Sequence, residues 1–262
     1  MPAFPATAGT GRGKKAAGTG RGKEAAGTGR GKEAAGTGRG KKAAGTGQAA
    51  PARRRAGANG KGVPRLKAER AAAAIRRHLT FPPAAKAGRR GTKRRRFPTR
   101  IVGSLRRKAP RVKDLDILIV VPDGTRLEGL LPGAELAEPA AAARGGPVIV
   151  ETRAGGPRRR SAIVAWGRGE DRRAYAVDFF VATQSELPYA LLAHSGPREY
   201  VVALRAHAKR QGLRLNQYGL YKAATGASLA GPRPSGEGFR PRTEREVVTR
   251  LGATYRPPAQ RR

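Results

Sequence analysis

Beyond Pro98 the chain alternates between short apolar runs and breaks of Gly, Pro and Arg. Runs rich in Val, Ile, Phe and Tyr predict strands over 99–102, 115–121, 148–152, 162–166 and 175–183. Helix-forming composition predicts helices over 187–193, 198–211 and 243–251, and Thr243 followed by Glu246 has the spacing of a capping box at the last start. Ahead of these, PRLKAERAAAAIRRHL over 64–79 is made of helix formers behind a proline and reads as the first helix of the folded region. Strands in the middle with helices later give an α+β domain, and Trp166, beside Val164 in its strand, reads as core.

The opening segment has no such pattern. A nine-residue unit, AGTGRGKKA or AGTGRGKEA, starts at Ala8, Ala17, Ala26 and Ala35, with a broken copy at Ala44. Each unit holds three glycines and no large apolar residue, so nothing offsets an ordering cost of about 1–2 kcal/mol per residue. A disordered basic arm is expected over 1–62, attracted to nucleic acid by charge. Its Gly-Thr-Gly-Arg-Gly-Lys is not a phosphate-cradling loop: the spacing before Gly-Lys is too short, Lys or Glu follows where Ser or Thr holds magnesium, and no strand precedes it. After the first helix, 89–96 forms a dense basic cluster, read as a nuclear-import signal, a DNA-contacting loop or a solvated run.

Composition narrows the chemistry. There is no cysteine and there are three histidines, His78, His194 and His207, which excludes disulfides, thiol nucleophiles and Cys/His zinc sites. Apolar stretches fall far short of the roughly 20 residues of a membrane span, and no secretory signal opens the chain, so a soluble intracellular protein is expected. The net charge is +37. Residues 1–98 hold 26 basic and 3 acidic side chains and residues 99–262 hold 29 and 15, giving +23 and +14, so arm and core are both basic. Phosphate polyanions are the expected partners, because each phosphate neutralised releases condensed counterions.

The segment IVGSLRRKAPRVKDLDILIVV over 101–121 carries the chemistry. Strand alternation puts Asp114 and Asp116 on one face, about 7 Å apart, where two carboxylates can share divalent cations. Gly103-Ser104 offers backbone N–H groups and a hydroxyl without bulk, and Arg107 a fixed fork for phosphate oxygens. That combination suits a bound triphosphate. Asp178 interrupts the apolar run AYAVDFFVA and is the candidate third carboxylate, costly there unless a metal or partner compensates it. The bland alternative leaves Asp114 and Asp116 as strand-end carboxylates paired with arginines. Lys209, Arg210 and Arg214 form a candidate patch for duplex DNA, whereas His207 in the same basic helix reads as a surface residue. Arg158, Arg159 and Arg160 read as a turn between strands or as contacts to the DNA backbone.

At these residues the sequence resembles the family X DNA polymerases, within the wider nucleotidyltransferase superfamily. VGSLRR, DLDILIVV and VDFF resemble the palm; PYALLAHSGPREY, LRAHAKRQGLRLNQYGLYK and TEREVVTRLGATYRPP resemble the C-terminal domain of a reduced viral member. The likeness spans 67–262 and implies a palm over 63–183 and a thumb-like subdomain over 184–262. It implies Asp114, Asp116 and Asp178 as the metal triad for two Mg2+ ions, with Mn2+ as substitute. Gly103, Ser104 and Arg107 would contact the triphosphate, with His194, Ser195 and Gly196 at the nucleotide and Arg205 near the templating pair.

Two positions depart from the family: Ala193-His194 precede Ser195-Gly196 where members commonly present two ring-bearing residues, and Val201 stands where many place an Asn. Sugar discrimination and fidelity are therefore open, and His194 reads either as a ring stacked on the nucleotide or as a helix-end histidine. The implied function is template-directed filling of short gaps in viral base-excision repair. Its partners would be gapped or primer-template DNA, deoxynucleoside triphosphates and a DNA ligase of the same pathway, with the protein a monomer at a viral replication site, in the virion or in the nucleus. Nothing before Pro64 is suited to build the helical lyase domain of fuller members, so no deoxyribose-phosphate lyase activity is expected. The competing readings are a template-independent or ribonucleotide-adding transferase and a non-catalytic basic DNA-binding or packaging protein.

Overall fold

In a computed structural model, residues 62–261 are described apart from 84, 87–88, 91–92, 137–138 and 232–237. The arm expected over 1–62 lies outside the described residues except for Gly62. In chain order the elements are β1 (Val63–Pro64), α1 (Arg65–His78), β2 (Ala85–Lys86), β3 (Arg89–Arg90), β4 (Thr99–Ile101), α2 (Gly103–Arg106), β5 (Arg111–Val112), β6 (Asp114–Val121) and α3 (Pro139–Ala143). There follow β7 (Val148–Gly155), β8 (Arg159–Trp166), β9 (Arg173–Thr183), α4 (Leu187–Ser195), α5 (Arg198–Arg210), β10 (Leu213–Asn216), β11 (Gly219–Lys222) and α6 (Glu244–Arg250).

The central sheet has five strands in the order β4-β6-β9-β8-β7. Only β6 and β9 run parallel, and the other pairs are antiparallel, so the sheet is mixed. Alternation sorts the two central strands. Leu115, Ile117, Ile119 and Val121 of β6 and Val177, Phe179 and Val181 of β9 face one core. Helix α1 closes that core with Ala68, Ala71, Ala72 and Ile75, an i, i+3, i+4, i+7 stripe whose small residues let the helix lie close to the sheet. Arg76 fastens it, donating from Nε to Thr99 Oγ1 at 2.8 Å and from Nη2 to the Thr99 carbonyl at 3.1 Å. On the other face Leu118, Val102 and Ala182 pack with Ala190 of α4, and that is the face that carries Asp114, Asp116 and Asp178.

The C-terminal part has its own core of Tyr189, Leu192, Leu204, Leu215, Leu220, Val247, Val248 and Leu251, drawn from α4, α5, the β10–β11 hairpin and α6. The Thr243 cap forms: its hydroxyl accepts from the Glu246 N–H at 3.2 Å, while Glu246 Oε2 accepts from the Arg242 N–H at 2.8 Å. The hairpin is absent from the sequence reading. Asn216 Oδ1 accepts from the N–H groups of Tyr218 and Gly219 at 2.8 and 3.0 Å and closes its two-residue turn.

Two basic runs resolve differently from their simplest readings. Only Arg158 lies in a turn, for Arg159 and Arg160 open β8. In the 89–96 cluster, Arg94 donates to Thr80 and to the Gly133 carbonyl and Arg95 to the Pro82 carbonyl, so these two are anchors of loops, not members of a solvated run. Among the described residues no helix is long and apolar enough to cross a membrane.

Candidate active site

The parallel pairing of β6 with β9 sets Asp116 directly opposite Asp178, with Asp114 two residues back on the same face. One carboxylate oxygen from each of the three lies within 4.8 Å of the others. Repulsion is built into this arrangement. Burial first, and then the charges of Asp114 and Asp178, raise the Asp116 carboxyl to about 7. An all-oxygen donor set of three carboxylates is the chemistry that hard divalent cations take, and a bound cation would relieve the cost that the raised Asp116 expresses. The cluster fits a divalent metal site.

Asp178 is held on both oxygens. Ser161, its register partner on β8, donates to Oδ1, and Arg159 Nη2 donates to Oδ2 at 3.0 Å. Both partners escape the sequence reading, since only the β8–β9 register, not any spacing in the chain, brings them to the carboxylate.

Gly103 begins α2 with φ +62, beneath Asp116. Next to it the Ser104 hydroxyl is buried without a hydrogen-bond partner, an orphaned donor and acceptor at the position expected to meet a phosphate. Arg107 donates from Nη1 to the Ser195 carbonyl, and burial lowers its guanidinium below the ordinary value while Asp116 acts in the opposite sense. Ser195 is buried at the end of α4, and Gly196 precedes Pro197 through a cis bond.

The structure thus brings Gly103, Ser104, Arg107, Ser195 and Gly196 together beside the triad. His194 stands beside this group, within reach of the Asp178, Arg159 and Arg205 charges. The His194 ring stacks on Phe180, with centroids 4.0 Å apart, and burial first, then the Arg159 and Arg205 charges, pull it down to about 4. His194 is therefore neutral at pH 7. Arg205 is exposed on α5. Lys209 and Arg210 follow at the exposed end of that helix, and Arg214 is exposed on β10 with its guanidinium 5.4 Å from the Tyr221 ring. Val201 is buried.

A further missed feature ties the sheet to the C-terminal part. Arg106 Nη2 donates to Glu244 Oε2 at 2.5 Å and its Nη1 to Ser195 Oγ, while Arg261 Nη1 donates to Glu244 Oε1 at 3.0 Å. The Glu244 and Arg261 side chains are 4% and 0% exposed. Removing the one carboxylate strands two arginines, one of them wholly buried. Glu244→Ala is expected to destabilise the protein by about 3–5 kcal/mol in denaturant unfolding. A loss below about 1 kcal/mol would show that the network contributes little.

Comparison with known proteins follows this division. The family model described as DNA polymerase beta thumb matches residues 190–262. Repair DNA polymerase X of African swine fever virus (isolate Pig/Kenya/KEN-50/1950) is 33% identical over 160 residues, 61% of this chain and 79% of the viral protein. DNA polymerase lambda of Rattus norvegicus is 29% identical over 160 residues, 61% of this chain and 28% of the rat protein. The crystal structure of Leishmania infantum polymerase beta in a ternary P/T complex matches with a TM-score of 0.52 at 20% identity, covering 76% of each chain, a likeness of fold.

Proposed function

Because this chain belongs to the family X DNA polymerases, we propose that it is a template-directed polymerase that fills short gaps during base-excision repair. The observation that carries the reading is the carboxylate triad assembled across β6 and β9, with the orphaned Ser104 hydroxyl beside it. The substrates are a primer 3′-hydroxyl on gapped or primer-template DNA and a deoxynucleoside triphosphate; the products are the extended primer and pyrophosphate. A palm over 63–183 supplies the triad, and a thumb-like subdomain over 184–262 supplies much of the nucleotide and DNA surface.

Asp114, Asp116 and Asp178 would hold two Mg2+ ions, with Mn2+ as substitute. When bound, such cations lower the barrier to attack on the α-phosphorus and neutralise the leaving pyrophosphate. The chain's own groups do the rest. Ser104 and the backbone at Gly103 receive the phosphates, and Arg107, pinned to the Ser195 carbonyl, presents its remaining guanidinium N–H groups to them. Ser195-Gly196 forms the floor of the nucleotide site, and the neutral His194 ring supports it from Phe180. Asp178 is oriented toward the primer end and assists deprotonation of its hydroxyl. Arg205 monitors the templating pair from α5, and Lys209, Arg210 and Arg214 follow the duplex backbone. The enzyme would work inside the cell as a monomer, and a DNA ligase would seal its product.

Single-nucleotide insertion on a one-base gapped DNA with Mg2+ tests the reading. Insertion of a deoxynucleotide is expected to depend on the template strand and on the divalent cation. Equal insertion without the template strand would replace it with a template-independent transferase. Tight DNA binding without insertion would leave a basic DNA-binding protein on a polymerase scaffold.

A further inference from the structure

Asp178 has two donors of very different character. Ser161 is neutral and partly buried, in register with Asp178 on the neighbouring strand, and its hydroxyl occupies Oδ1. Arg159 reaches Oδ2 from two residues earlier on β8, with a side chain that is 62% exposed, against 19% for Asp178. Its guanidinium also lies 5.7 Å from the centre of the Phe180 ring. From there the charge acts on Asp116 as well as on His194.

Three carboxylates within 4.8 Å need a compensating charge even in the absence of a metal ion. Arg159 pairs directly with the cluster on Oδ2, the Asp178 oxygen that the Ser161 hydroxyl leaves open to a metal ion. An ion pair this open to solvent is worth only about 0–1 kcal/mol, and a long arginine side chain gains rotamer freedom when released. A divalent cation carries twice the charge and binds all three carboxylates together, so it outcompetes the guanidinium without disturbing Ser161. We propose that Arg159 is a positioning residue that acts as a replaceable counter-charge: it holds Asp178 in the cluster while the metal is absent and leaves Oδ2 when a cation binds. This rests on the reading of the triad as a metal site. Its consequence is that the chain sets its own metal affinity, because every cation that binds must displace an arginine.

The test is Mn2+ binding to the full chain without DNA or nucleotide, followed by loss of the free-ion electron paramagnetic resonance signal. Arg159→Gln and Arg159→Ala are expected to tighten the Mn2+ dissociation constant by about fivefold, the scale of one exposed ion pair. Arg153→Gln removes the same formal charge from the edge strand β7, where Arg153 pairs with Glu151, and is expected to change it less than twofold. Unchanged or weaker binding in the Arg159 variants would overturn the inference, and so would equal tightening in Arg153→Gln, since a general field effect would then suffice. If the wild type itself binds no Mn2+, the metal-site reading and this inference fall together; if it binds and Arg159→Gln matches it, only this inference falls.

Discussion

Asp116→Asn is expected to make the metal-free protein more heat-stable at pH 8 while lowering nucleotide insertion by at least about 10²–10³-fold, the scale set by losing one preorganised charged group. The first half follows from linkage. The folded-state carboxyl titrates near 7, whereas an unfolded aspartate titrates at 3.8. Between those values the folded state holds a proton that the unfolded state releases, so this group favours folding at low pH and loses that contribution as pH rises through 7. Above pH 7 the wild type carries a largely buried charge beside two others, a burden on the order of a few kcal/mol. Asparagine keeps the shape and removes the charge. Its advantage over wild type should be largest above pH 7 in EDTA and shrink as pH falls toward 4. Adding Mg2+ or Mn2+ should raise the wild-type melting temperature more than that of the variant and narrow or reverse the order. A variant less stable than wild type at pH 8 in EDTA would show that burial and the two neighbouring carboxylates do not make the Asp116 charge a burden on the fold.

The same logic explains what could be read from the residues in advance. The sheet was legible because its strands are apolar runs between Gly, Pro and Arg breaks, and alternation at the start of β6 puts Asp114 and Asp116 on one face with Leu115 on the other. Asp178 was legible as a third carboxylate because a charge inside AYAVDFFVA has no cheap structural explanation. What stayed hidden depends on contacts that no local pattern records. Arg106 finds Glu244 138 positions away and Arg261 finds it across 17, so neither looks different from the other arginines of a very basic chain. Three consecutive arginines read as a turn or as contacts to the DNA backbone, and nothing local singles out Arg159, which the β8–β9 register puts on Asp178. The β10–β11 hairpin was missed because its strands have four residues each, too few for alternation to stand out; its local sign was the Asn216-x-x-Gly219 turn.

Gly103→Ala is expected to lower insertion by about 10²-fold or more, through displacement of Asp116 and not through unfolding. A Cβ built at Gly103 overlaps Asp116 Oδ2 outright and stands 2.6 Å from Cγ and 3.0 Å from Cβ of the same residue. The aspartate backbone cannot retreat, because its carbonyl accepts from the Val102 N–H at 3.0 Å and its strand is paired on both sides. The carboxylate must therefore turn out of the cluster. The left-handed φ of +62 adds a penalty of about 1–2 kcal/mol for any side chain, which by itself would cost stability but not chemistry. Gly124 separates the two effects: its φ is +79 and a Cβ there meets nothing within 4 Å. Gly124→Ala should lose comparable stability and keep full activity, whereas Gly103→Ala should lose activity and Mn2+ affinity together. The clash also predicts non-additivity. In an Asp116→Ala background the obstructing carboxylate is gone and only the Cβ contact at 3.0 Å remains, so the stability cost of Gly103→Ala should fall toward that seen at Gly124. A full additive cost in the double variant would place the strain in the backbone of α2 and dismiss Gly103 as the residue that makes room for the triad.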